Sequence, residues 1–181
     1  MEFACLDLLN SDWHDHRGTG LTRDRLDDRR WLEEFLDRWG LAGAGLPDEQ
    51  DLARLKGLRS LLRRIVEAMV SAQQIPRDSL EGLNRVMANS PSIRRLSAGA
   101  GQYRLEILPA VEDWTWVLSE IAASFADLLA HHDPTRIKIC RNPDCHWVFY
   151  DDSRSRTRRW CEDTCGNLMK VRRFRARNRD S

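Results

Sequence analysis

The sequence predicts a mainly α-helical chain of the α+β class: a helical body with one β-hairpin, then a small cysteine-held unit ending in a basic helix. Three observations predict it. Apolar residues recur at helical spacing in several stretches before residue 134. A stretch near residue 100 switches to strict alternation, and four of the five cysteines crowd into residues 140–165.

The elements follow in order. FACLDLLNS at 3–11 is a short apolar run that a helix suits better than a strand, and DWHDHRGTGLT reads as a polar loop. From Asp27, Trp31, Leu32, Phe35, Leu36 and Trp39 share one helical face, and Gly40 stops the helix. Pro47 opens a longer helix with the stripe Leu52, Leu55, Leu58, Leu62, Ile65, Val66 and Met69. A third places Leu80, Leu83, Val86 and Met87 inward before Asn89-Ser90-Pro91. SIRRLSAGAGQYRLEIL turns at Ala98-Gly99-Ala100-Gly101, and the alternation of Tyr103, Leu105 and Ile107 predicts a half-buried strand. A fourth helix from about Asp113 buries Trp114, Val117, Ile121, Phe125 and Leu128 and ends at His131-His132-Asp133-Pro134. RIKIC then leads, extended, into the cysteines. The expected division is 1–134 for the body and 135–181 for the cysteine unit.

Composition narrows the class. With 181 residues, 41% hydrophobic, and seven tryptophans, the chain can build a real core. No apolar run approaches about 18 residues, which excludes a membrane-spanning helix. MEFACLDLLNSDW lacks the basic start and cleavage site of a signal peptide, so a cytoplasmic location without disulfides is expected. The net charge of +1 hides an asymmetry: residues 136–181 carry 13 Lys+Arg against 6 Asp+Glu, the rest 16 against 22. An acidic body with a basic end suggests a polyanion-binding module, or a basic end that docks on the body.

The cysteines are spaced Cys140-x4-Cys145-x15-Cys161-x3-Cys165. Two close pairs separated by about 15 residues form the layout of a tetrahedral metal site, each pair wrapping one side of the ion. Four thiolates would close the coordination sphere, so the expected cofactor is one structural Zn2+. Disulfides need an oxidising compartment, neither pair is the C-x-x-C of a redox site, and no ferredoxin spacing is present. His146 replacing Cys145 is the remaining variation. Cys5, in its apolar run, reads as a small buried hydrophobe.

Residues 153–179 carry ten Lys or Arg against two acids. In the loop these are Arg154, Arg156, Arg158 and Arg159. In the predicted helix from Cys165 they are Lys170, Arg172, Arg173, Arg175 and Arg177, with Met169 and Phe174 expected to face the zinc unit. Such a helix suits phosphates and guanine edges, making DNA the expected partner. The rival is a zinc-stabilised protein-interaction module whose arginines bind an acidic partner or the acidic body. Trp147 and Trp160 are expected to pack on the knuckles rather than stack on bases.

Residues 140–175 resemble the CGNR-type zinc finger of bacterial proteins. The match runs Cys140…Cys145, Phe149, Asp151, Ser153, Arg158-Arg159-Trp160-Cys161, then Cys165-Gly166-Asn167 with Lys170 and Arg175. The N-terminal part resembles the ABATE domain of stress-induced transcription regulators through Leu6-Asp7-Leu8-Leu9-Asn10-Ser11 and Trp31-Leu32 with Gly40-Leu41. The resemblance implies a small treble-clef- or ribbon-like finger with zinc on its four cysteines, in a DNA-binding transcriptional regulator. Leu168 stands where the family motif has arginine, a gap that Arg172 and Arg173 are placed to fill. Asp7, Asn10 and Trp13 are candidates to line an effector pocket in a body that senses a ligand or forms a homodimer. His14, His16, His131 and His132 could form a second metal site, though loop and helix-end histidines are the ordinary reading. No nucleophile elbow, phosphate loop or metalloprotease helix is present, so an enzyme is not expected.

Overall fold

The computed structural model describes residues 2–99 and 101–178. Six α-helices and three two-stranded antiparallel ribbons follow one another: α1 (Ala4–Leu9), β1 (Asp12–His14), β2 (Thr22–Asp24), α2 (Arg29–Trp39), α3 (Glu49–Val70), α4 (Arg77–Ala88), β3 (Ser92–Gly99), β4 (Gln102–Pro109), α5 (Trp114–His131), β5 (Ile137–Ile139), β6 (Val148–Tyr150) and α6 (Asp163–Arg177). Among the described residues no helix is long and apolar enough to cross a membrane.

The helix boundaries have local causes. Asp28 caps α2 by accepting from the Arg30 amide at 3.0 Å, and Gly40 closes it in the left-handed region at φ 67°. Asp48 and Asp113 cap α3 and α5 through the amides of Asp51 and Trp116. The central helix is α5, which buries Trp114, Trp116, Val117, Leu118, Ile121, Ala122, Phe125 and Leu128 against α1, α3 and α4. A helix apolar on so many sides must lie inside the bundle. Burial pushes the Cys5 thiol up to about 12, consistent with a hydrophobic role.

The Arg59 guanidinium of α3 bridges both oxygens of Asp24 at 2.6 and 2.7 Å and also reaches Ser11 Oγ, fastening β2 to the bundle. Burial alone would raise the Asp24 pKa, but the hydrogen bonds from Arg59 and the Leu26 amide outweigh it and hold the carboxyl below its ordinary value. A depressed folded value stabilises above the unfolded pKa of about 3.9 and is lost as pH falls through the folded one. Asp24→Asn is therefore expected to cost about 1.5–3 kcal/mol at pH 7 in urea unfolding. The gap from wild type should shrink below about pH 4, and a gap constant down to pH 3 would refute the assignment.

Three expectations are corrected. The segment after α1 is not a plain loop: Asp12, Trp13 and His14 pair with Asp24, Arg23 and Thr22. Leu80 lies on the outer side of α4, because α4 buries only a narrow stripe around Leu83. The β3–β4 hairpin forms in full register from Ser92↔Pro109 to Gly99↔Gln102, but Tyr103, Leu105 and Ile107 are exposed. Alternation selected the right pleat, but among the described residues no layer covers that face. Ala100, assigned to the turn, lies outside the described residues.

The last ribbon joins two cores. In β5–β6, Ile137↔Tyr150 and Ile139↔Val148 alternate with Lys138↔Phe149. Ile137 and Val148 are buried in the helical core, whereas Phe149 is buried with the four cysteines. The two-residue period of a strand thus gives one face to the body and the other to the finger.

Candidate metal centre and basic surface

The four cysteines converge from four places: Cys140 just after β5, Cys145 at the end of a knuckle, Cys161 before α6 and Cys165 in its first turn. All four are buried, and their sulfurs lie within 4.8 Å of one another. The Cys145–Cys161 and Cys161–Cys165 sulfurs are 3.6 and 3.8 Å apart. Zinc–sulfur bonds of about 2.3 Å in a tetrahedron require sulfurs about 3.8 Å apart, so the cage fits Zn2+. None of the cysteines is in a disulfide.

The electrostatics favour a cation. Hydrogen bonds from the neighbouring thiols Cys145 and Cys161 hold Cys140 down at about 2. Its negative charge and hydrogen bond in turn raise Cys145 to about 12 and push Cys161 up further. Thiolates this close repel one another, so four of them need a metal ion between them.

Around the sulfurs each motif residue has a structural task. The Asn142 carbonyl accepts from the Cys145 amide at 3.0 Å, closing the knuckle. The buried Asn142 amide donates to His16 O at 2.8 Å and approaches Cys165 Sγ at 3.5 Å. Asp151, fully buried, accepts from Lys138 Nζ, from the Ser153 amide and hydroxyl, and from the Arg158 amide. Burial opposes its ionisation, but these donors outweigh it and lower the carboxyl to about 2, so Asp151 pins the loop that carries Cys161. A Cβ on Gly166 would stand 3.0 Å from Trp160 Cδ1, so glycine lets the indole pack on the first turn of α6. Trp147 and Trp160 pack on this small core, as expected.

The body clasps the finger. The buried Asn10 side chain donates to Val148 O at 2.9 Å and accepts from the Val148 amide at 2.8 Å. His14 stacks on His146 at 4.4 Å, and Arg63 donates to His146 O at 2.7 Å. His146 is thus an exposed joint residue outside the cage, and Cys145 keeps its place as ligand. At Gly18, φ is 83° and a Cβ would meet Arg172 Nη2 at 2.8 Å and Asp144 Oδ2 at 2.9 Å. Glycine alone allows both the turn and the close approach.

The predicted basic residues divide into two sets. Arg156 pairs with Asp133 at 2.9 Å, and Arg158 donates to the carbonyls of Trp160 and Cys161 and lies over Phe149. Arg172 binds Asp144 at 2.6 Å and Arg17 O at 2.8 Å, so it is not placed to fill the gap at Leu168. These three bind the chain itself. By contrast, Arg154, Arg159, Lys170 and Arg175 are exposed without a side-chain partner among the described residues. Among the described residues Arg173 donates to the Met169 carbonyl of its own helix, and Lys170 and Arg173 line one side of α6. Phe174, expected against the zinc unit, is 59% exposed. Only Cys165 and Gly166 of α6 are buried, and beyond them the Arg172–Asp144 pair ties the helix to the first knuckle.

Of the effector candidates, Asp7 and Asn10 line a cleft of about 180 Å3 with Arg25 and Trp147, and Trp13 is not among its lining residues. Asp7 accepts from Trp39 Nε1 at 3.0 Å and Arg38 at 3.2 Å, and Asn10 is engaged by Val148. Among the described residues the histidines converge with no further ligands into a second metal group. The clamping roles of Asn10 and Asn142 were missed by sequence reasoning, because each partner is a backbone atom distant in sequence.

A four-thiolate zinc finger fused through a shared ribbon to a helical body is thus the class of protein that fold and site define. Comparison with known families agrees: residues 2–132 match ABATE, described as "Putative stress-induced transcription regulator", and residues 136–178 match the CGNR zinc finger. The chain belongs to the ABATE family and carries one structural zinc ion in its CGNR finger. No curated protein matches the sequence.

Proposed function

We propose that this zinc-binding regulator contacts DNA through α6 and the 154–159 loop. The observation that carries the reading is the open basic face of α6. A helix of 15 residues, about 22 Å long, is anchored by Cys165 at one end and tethered by Arg172 to Asp144 and Arg17 O, while Lys170 and Arg173 line its open side. A second basic surface lies where Arg141 and Arg159 border a groove of about 450 Å3 between the end of α3 and the finger. Both surfaces suit phosphates, which dominate the affinity of such proteins for nucleic acid. The protein-interaction reading draws support only from Arg156 and Arg172, whose acids belong to the chain itself.

The test is fluorescence anisotropy of zinc-loaded protein with a duplex of mixed sequence across a salt series. Binding should weaken steeply with salt. Lys170→Ala with Arg173→Ala should lower the slope of log affinity against log salt by about 2, roughly equally for every sequence. Arg172 is left intact because its removal would loosen the finger from the body. No binding at about 50 mM salt, or an unchanged slope in the double variant, would sink the proposal.

A further inference from the structure

The β3–β4 ribbon presents an apolar face that no other described residue covers. Directly opposed residues of an antiparallel pair share a face, so Leu96↔Leu105, Ala98↔Tyr103 and Arg94↔Ile107 point one way. Leu96 is 67% exposed, Tyr103 79%, Leu105 65% and Ile107 67%, and none belongs to either core. The opposite face is charged, with the Arg95–Glu106 pair at 3.1 Å and Arg104 opposite Ser97. Eight-residue strands in a lone two-stranded ribbon are marginal in water, and large contiguous apolar faces mark interaction sites.

From this we infer that the face docks on the same face of a second copy of this chain, making a two-fold dimer. Two observations favour a second copy over an unrelated protein. The four exposed side chains offer roughly 500 Å2, so a self-paired face buries about 1,000 Å2 in total, the threshold for specific association. The face is also self-complementary. A two-fold axis through the Leu96–Leu105 pair lays the tip of one ribbon over the base of the other. Arg94, the one charge on the face, then meets the Tyr103 ring of the second copy, and leucine meets leucine at the centre. An interface of that size gives a reversible dimer in the micromolar range, with a finger on each protomer.

Sedimentation velocity of the zinc-loaded full chain from about 1 to 200 μM tests this. The wild type is expected to shift from monomer to dimer. Leu96→Lys with Leu105→Lys should stay monomeric throughout, with helical circular dichroism and zinc content unchanged because the ribbon lies outside both cores. Hydrogen exchange of the wild type supplies a readout that does not depend on the variant folding its ribbon: amides of 92–109 should slow as concentration rises. A wild type monomeric at the highest concentration overturns the proposal. So does a dimer that survives in the double variant, or one whose protection falls elsewhere. A monomer whose ribbon is protected only by added duplex assigns the face to DNA and overturns it equally.

Discussion

Cys161→Ser is expected to reduce zinc from one ion per chain to none and to unfold the finger while the helical body keeps its circular dichroism. The structural zinc of small domains contributes on the order of 10–16 kcal/mol of apparent binding energy, comparable with the whole stability of a typical domain. The buried core of the finger is little more than Phe149 and the four sulfurs, with Trp147 and Trp160 leaning on it. Without the ion that core cannot offset chain entropy. Metal analysis and limited proteolysis read the two effects: zinc lost, and cleavage appearing between 151 and 178. His146→Ala, in parallel, should leave zinc content unchanged, because His146 sits outside the cage against His14. Full zinc occupancy in Cys161→Ser, or loss of zinc in His146→Ala, would contradict the four-cysteine cage.

The second large effect is expected at Asn10, far from the metal. Asn10→Leu fits a buried position but removes a donor and an acceptor, leaving the Val148 amide and carbonyl without their partner. Each unsatisfied buried backbone group costs about 1–3 kcal/mol, so about 2–5 kcal/mol should be lost in urea unfolding. Because Val148 belongs to the strand shared by both cores, the loss should also speed hydrogen exchange in β5 and β6. A cost below about 0.5 kcal/mol would show that Asn10 does not clamp the finger.

Much of this was legible in the sequence because it depends on near neighbours along the chain. The 3.6-residue stripes marked the long helices, Asp28 and Gly40 bounded one of them, and the two cysteine pairs announced a tetrahedral cage. What was not legible involves groups far apart in the chain. Tyr103, Leu105 and Ile107 alternate as a half-buried strand does, yet alternation cannot say whether another layer arrives to cover them. The arginines of 154–177 form one basic run in sequence. Only their positions beside Asp133, Asp144 and Arg17 O mark Arg156 and Arg172 as binding the chain itself.

By itself, the sequence determined the zinc ligands, the helical class and the basic character of the C-terminal end, since local spacing and composition are enough to specify each. The tertiary structure decided that finger and body share a strand, that Asn10 and Asn142 are clamps, and which arginines stay exposed. The physical reason is that buried hydrogen bonds and ion pairs depend on which atoms meet after folding. For Asn10 and Val148 that meeting spans 138 positions of the chain.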